Sequence, residues 1–186
     1  MDLSAGRDDT ARLAEALRKA LPDQALSVRA EQASRADLDF SAALYASTRE
    51  AELAVADWSP EQKQAFCRQQ FDAQHAHYRT HYPLAEFLLI QAQNLPIGRV
   101  YFEHTAKELR LMEITVDAVS RNHGIGKAVS AALLQQARDS RVPMGLHVES
   151  FNPAKRLYER LGFRDVETRG VYVFMLCDGD TLRTHD

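Results

Sequence analysis

Apolar residues recur along this chain with two different periods, and the change of period marks its elements. Residues 8–21 carry Leu13, Ala16, Leu17 and Ala20 at helical spacing, and Pro22 ends that helix. Leu26 and Val28 alternate with polar neighbours and predict a short strand over Ala25–Ala30. Asp37–Tyr45 predicts a helix that resumes after a break towards Ala56. Ser59-Pro60-Glu61-Gln62 is a helix start, because Ser59 can cap, Pro60 suits the first turn and Gln62 closes a capping box. This helix runs to about Thr80 with only a weak apolar stripe (Phe66, Phe71, Ala73, Ala76), which suits a groove wall.

Alternating segments dominate next. Glu86–Ala92, Ile97–His104 and Leu109–Val116 read as strands separated by Gln93-Asn94-Leu95-Pro96 and by a turn near Ala106-Lys107-Glu108. Turns this short require an antiparallel meander. A helix over 124–140 buries Ile125, Val129, Ala132, Leu133 and Ala137 on one face. A strand at Met144–Val148, a short helix at 153–161 and a hairpin of strands 163–168 and 171–177 about Gly170 complete the order. That order predicts an α/β fold, with a mixed, mostly antiparallel sheet of about seven strands flanked by helices. Residues 25–180 form a single domain in this reading. Residues 1–24 are an N-terminal helical extension, either packed on the domain or a partly mobile arm, and residues 181–186 are a tail.

Composition narrows the function classes. A chain of 186 residues with 45% hydrophobic residues can bury one sizeable core. A formal net charge of -3 gives no nucleic-acid footprint. No apolar stretch is long enough to cross a bilayer, so no membrane partner is expected. Met1-Asp2-Leu3-Ser4 has no basic region leading into an apolar run, and Cys67 and Cys177 match no metal spacing. The expected setting is cytoplasmic, with both thiols reduced. His77 and His81 are four apart, but the glutamate of a helical zinc motif is missing, and no metal is expected.

The chemistry concentrates after Val116, in Arg121-Asn122-His123-Gly124-Ile125-Gly126-Lys127, where a helix begins. Unpaired N–H groups at a helix start carry partial positive charge, and two glycines allow a phosphate close approach. Arg121 and Lys127 add full charges. The loop lacks both the G-x-G-x-x-G pattern and the G-K-[ST] ending of nucleotide loops. It suits a pyrophosphate, or is a turn that contains glycine. A second segment, Asn152-Pro153-Ala154-Lys155-Arg156-Leu157-Tyr158-Glu159-Arg160-Leu161-Gly162-Phe163, is by itself a well-capped short helix.

Together the two segments resemble the GNAT superfamily of acyl-CoA N-acyltransferases. Arg121–Gly126 is similar to its R-x-x-G-x-G signature and Asn152–Phe163 to its N-x-A-x-x-L-Y-x-x-x-G-F signature, in family order. The resemblance covers residues 86–176 in motif detail. It implies an N-acetyltransferase moving an acetyl group from acetyl-CoA, as donor, to a primary amine of a small-molecule or peptide acceptor by direct attack. It implies a bulged strand before the loop, splayed from the next strand. There Ile114, Thr115 and Val116 pair with the pantetheine arm, and the amides of Arg121, Asn122, His123, Gly124, Ile125, Gly126 and Lys127 hold the pyrophosphate. Asn152 contacts the cofactor arm, Lys155 lies near its phosphates and Tyr158 gives a proton to the leaving thiolate.

Arg110 stands where the histone-acetylating branch keeps its base, so Glu113 is the available carboxylate. Unbroken alternation groups Glu113 with Leu111 and Thr115. Glu113 then binds a substrate ammonium, relays its proton through water, or pairs with a neighbouring cation. The family's acceptor groove falls within residues 40–82, where Glu50, Glu52, Gln74 and Tyr78 are the substrate-binding candidates and Tyr45, Asp57 and Gln70 lie close by. An acyl-CoA sensor without turnover is the alternative. A homodimer is left open by the resemblance.

Overall fold

Leu88, Ile90, Val100 and Phe102 are sealed on one face of the central strands, while Leu89, Arg99 and Tyr101 are equally buried on the other. A sheet buried on both faces needs a layer of helices on each side. The computed structural model describes residues 4–179, with side chains from residue 8. Met1–Leu3 and the tail at 181–186 lie outside the described residues.

The elements run α1 (Ser4–Ala20), β1 (Leu26–Ala30), α2 (Arg35–Leu53), α3 (Pro60–His81), β2 (Glu86–Ala92), β3 (Leu95–His104), β4 (Leu109–Val116), α4 (Ile125–Asp139), β5 (Met144–Glu149), α5 (Ala154–Arg160), β6 (Arg164–Arg169) and β7 (Tyr172–Cys177). One seven-stranded sheet has the order β1-β2-β3-β4-β5-β7-β6. Every neighbouring pair is antiparallel except β4 with β5. This is the mixed, mostly antiparallel sheet that the element order predicts.

Three local expectations need correction. The helix starting at Asp37 begins two residues earlier, at Arg35, and runs unbroken to Leu53, because Ala42, Leu44, Tyr45 and Leu53 keep an apolar face throughout. Ser34 caps it by accepting from the Asp37 amide at 3.3 Å. The turn before β3 is shorter than predicted. Gln93 and Asn94 both adopt positive φ (50° and 66°), so the strand resumes at Leu95.

The third correction decides the site. Tyr101 pairs with Glu113 while Phe102 pairs with Leu111, so Met112 is an extra residue, a β-bulge. The bulge resets the alternation. Leu111 joins the core shared with α1 and α4, and Ile114 and Val116 pack on that same core. Glu113 therefore does not share a face with Leu111. It points to the opposite face, towards Arg99 and the layer built by α2 and α3.

β4 and β5 are hydrogen-bonded only from Leu109/Met144 to Leu111/Leu146. Beyond that point β5 continues with β7 as far as Glu149, and β4 continues with β3 as far as Val116. The two strands part, and a wedge opens with one edge of β4 unpaired.

Candidate active site

The wedge is bounded by the two segments singled out in the sequence. At one end of it, Gly124 caps α4 with φ +82°, a conformation that favours glycine, and no side-chain hydrogen bond caps the helix. The first-turn N–H groups of Ile125, Gly126 and Lys127 lack intrahelical acceptors by position. A Cβ built on Gly126 meets nothing within 4 Å. Arg121, Asn122, His123, Gly124 and Lys127 are exposed, and Ile125 is buried in the main core. Arg121 folds back: its Nε donates to the Val116 carbonyl at 2.9 Å and Nη2 to Ser47 Oγ on α2 at 3.3 Å. That carbonyl thus already has a partner, and the loop is tied to α2. From the other side, Gln24 donates to the His123 carbonyl at 2.9 Å.

At the other edge of the wedge stands α5. Asn152 Oδ1 accepts from the Ala154 amide at 2.9 Å, so its carbonyl caps the helix and its NH2 group remains available. Lys155 does not reach for the loop. Its ammonium lies 2.7 Å from Glu159 and 3.0 Å from Asp165. A cavity of about 480 Å³ beside it is lined by Phe151, Asn152, Lys155 and Arg156. Tyr158 is buried at 5% exposure and packs edge-on against Phe163 at 5.7 Å. Burial pushes its hydroxyl pKa up to about 12, the charge of Glu113 adds to that rise, and the Ser130 hydroxyl opposes it.

Glu113 lies at the fork. Thr115 Oγ1 donates to its Oε1 at 2.5 Å, and Arg99 Nη2 reaches the same oxygen at 3.3 Å. Tyr78, from α3, is held far above the ordinary phenol range by burial, with Glu113 adding to the shift. Behind Glu113 a polar network extends across the face. Arg99 is fully buried and donates to the Ser41 carbonyl at 3.4 Å. Tyr101 and Ser41 both donate to Glu31 Oε2, at 2.5 and 2.7 Å. His75 Nε2 lies 3.5 Å and Arg79 Nη2 3.7 Å from Glu31 Oε1. Burial pushes the imidazole of His75 down, and the Glu31 carboxylate opposes that shift.

The sequence reading did not find Glu31, Ser41, Arg99, Tyr101 or Ser130. One signal was present: Arg99 alternates with apolar residues in a central strand, and a cation there needs a buried partner. Other candidates stay apart from Glu113. Glu52 is exposed and pairs with Arg49 at 2.9 Å. Glu50 lines an open groove of about 980 Å³ between α2 and α3 that includes neither Glu113 nor Tyr158. Gln74 is half-buried on α3, one residue before His75. Tyr45 is buried against Phe71 at 6.3 Å. Arg110 is held by Glu108 at 2.9 Å and stacks over Phe174 at 4.8 Å, so this position offers a paired cation. Among the described residues, no group of three or more His, Cys, Asp or Glu side chains comes together as a metal-binding set, and no helix is long and apolar enough to cross a membrane.

The family described as "Acetyltransferase (GNAT) domain" matches residues 54–172. No curated protein sequence matches the chain. Solved structures match in fold. PaiA N-acetyltransferase from Thermoplasma acidophilum, in complex with coenzyme A, is 17% identical, with a TM-score of 0.61 over 82% of this chain and 98% of that one. YncA from Salmonella typhimurium, with its cofactor acetyl-CoA, is 20% identical, with a TM-score of 0.53 over 87% of this chain and 98% of that one. An N-acetyltransferase from Staphylococcus aureus Mu50 is 16% identical, with a TM-score of 0.56 over 83% and 99%.

Proposed function

Since this chain belongs to the GNAT acetyltransferase family, we propose that it transfers an acetyl group from acetyl-CoA to a primary amine of a small molecule or amino-acid-like acceptor. The observation that carries this reading is the wedge between β4 and β5, with free helix-start amides at one end and Tyr158 at the other. An unpaired strand edge suits a chain of amides, which can pair as a missing strand would. The open space at Gly126 suits a phosphate against bare backbone.

Bound acetyl-CoA supplies an activated thioester carbonyl and a thiolate leaving group. The protein positions, shields and moves protons. Ile114, Thr115 and the amide NH2 of Asn152 hold the pantetheine arm, and the amides of residues 121–127 hold the pyrophosphate. Tyr158 Oη would give a proton to the departing sulfur as the amine nitrogen bonds to the acetyl carbon and the carbon–sulfur bond breaks, and the proton that the nitrogen sheds would pass through water and restore the phenol. Glu113 and Tyr78 form the acceptor side, where a carboxylate amid tyrosine rings favours an ammonium.

The test is a screen of primary amines for free thiol released from acetyl-CoA, with the acetylated product identified by mass. Amine-dependent release is expected. Acetyl-CoA binding without release on any amine favours the sensor instead, and no binding at millimolar acetyl-CoA overturns both.

A further inference from the structure

Glu113 has two oxygens in different circumstances. Oε1 receives both the Thr115 hydroxyl and the Arg99 guanidinium, while Oε2 has no protein partner among the described residues. Arg99 is itself fixed. It is fully buried, donates to the Ser41 carbonyl, and lies 5.2 Å from the Phe71 ring and 5.1 Å from the Tyr101 ring. Its Nε has no partner among the described residues. Glu31, the other carboxylate of the face, is already engaged by Tyr101 and Ser41. Glu113 is thus the carboxylate that directly pairs with a cation sealed from water. A buried guanidinium without a counter-charge is strongly unfavourable, so Arg99 requires the Glu113 carboxylate beside it.

We propose that Arg99 is a positioning residue that clamps Glu113 as a standing carboxylate, so that Glu113 Oε2 anchors the acceptor's ammonium and does not take its proton. This rests on the acetyltransferase reading for its substrate, but not for the Arg99–Glu113 relation. The guanidinium and the hydroxyl both occupy Oε1 of Glu113, which leaves Oε2 as the oxygen open to an acceptor. The groups facing it agree with this role. Arg99 and Tyr101 come from β3, Thr115 from β4, Tyr78 from α3 and Tyr158 from α5, and Arg99 is the only cation among them. The acceptor then arrives as an ammonium, binds at Oε2, and loses its proton to water before its nitrogen attacks.

Two measurements test this. The first is a titration of the Glu113 side-chain carboxyl by carbon NMR in wild type, Arg99→Met and Arg99→Lys. The midpoint is expected to rise by about one pH unit or more in Arg99→Met, the size of shift an adjacent cation produces, and to return most of the way in Arg99→Lys. An unchanged midpoint in folded Arg99→Met overturns the clamp. If Arg99→Met fails to fold, a Glu113 midpoint in wild type at or above that of a free glutamate overturns it equally. The second compares kcat/KM against pH for two acceptors whose ammonium pKa values differ by about two units. The ascending limb is expected to follow the acceptor. A limb that stays at one pH for both amines identifies a protein base and overturns the anchor role. A chain that turns over no amine fails the acetyltransferase reading, and the carboxyl titration still decides the role of Arg99.

Discussion

Tyr158 holds its proton more tightly than a tyrosine in water does. Burial raises its pKa to about 12, where the ordinary value is 10.0. A raised phenol pKa means that the neutral, proton-bearing form persists to higher pH. In its proposed role as donor, Tyr158 is therefore fully loaded across the neutral and mildly alkaline range and is lost only as pH rises towards 12. The kcat profile is expected to show no descending limb between pH 8 and about 10, and a fall centred near the ordinary tyrosine value would sink this assignment. Tyr158→Phe removes the hydroxyl and leaves the packing. Turnover is expected to fall by about 10²–10⁴-fold with acetyl-CoA affinity nearly unchanged. Gly126 gives a complementary test. Its Cβ position is empty, so Gly126→Ala is accommodated without contact and gains up to about 1 kcal/mol of helix propensity. The same methyl group stands at the start of α4, where a phosphate is expected. Calorimetry on this variant is expected to show equal or higher Tm with weakened acetyl-CoA binding; equal affinity would place the phosphate elsewhere.

At the level of elements, the wedge depends on how β4 is held by β3. Gly98 is the point of closest approach, since a Cβ there would lie 2.6 Å from the Thr115 carbonyl and 3.3 Å from Val116 Cα. Both atoms are backbone and cannot swing away. Gly98→Ala must push the end of β4 outward, which strains the ladder and misaligns the edge offered to a pantetheine arm. We expect a loss of about 1–3 kcal/mol of stability, as for other overpacked sites, together with weaker acetyl-CoA binding. A Tm and an affinity both equal to wild type would show that β4 shifts freely. The elements themselves were legible from the chain because apolar period and turn residues are local signals. Ser59 and Gln62 form the capping box that their spacing predicts. The bulge was not legible: Leu111-Met112-Glu113-Ile114 reads as ordinary alternation, and only the register with β3 reveals the extra residue. The polar network escaped for a related reason. Residues 31, 41, 99 and 113 meet only once β1, α2, β3 and β4 assemble, and nothing near Glu31 in the chain marks it as a partner for Tyr101. The ion pairs of Lys155 were not legible either, since Glu159 and Asp165 come within reach of its ammonium only when α5 and β6 are folded.

In the whole molecule, the first helix belongs to the same core that supports the loop before α4. Leu13 and Leu17 are fully buried in one cluster with Val129, Leu133 and Ala137 of α4 and with Leu88 and Val100 of the sheet. The turn after α1 places a Leu21 methyl 3.6 Å from where a Cβ on Gly124 would stand, and Gln24 holds the His123 carbonyl. The loop is therefore braced by α1 on one side and, through Arg121 and Ser47, by α2 on the other. In the proposed reading, such an arrangement would couple the N-terminal helix to cofactor binding. Leu17→Ala leaves a cavity beneath α4 and is expected to cost about 2–5 kcal/mol. Because α1 shares its core with the sheet, the loss should appear as one cooperative urea transition at lower midpoint with an unchanged slope. Acetyl-CoA binds only the folded chain in this reading, so adding it at about 100 times its Kd should restore about 2.7 kcal/mol to wild type and variant alike. Two separate transitions, the earlier one involving only the first helix, would show that α1 is an independent appendage and that the loop stands without it.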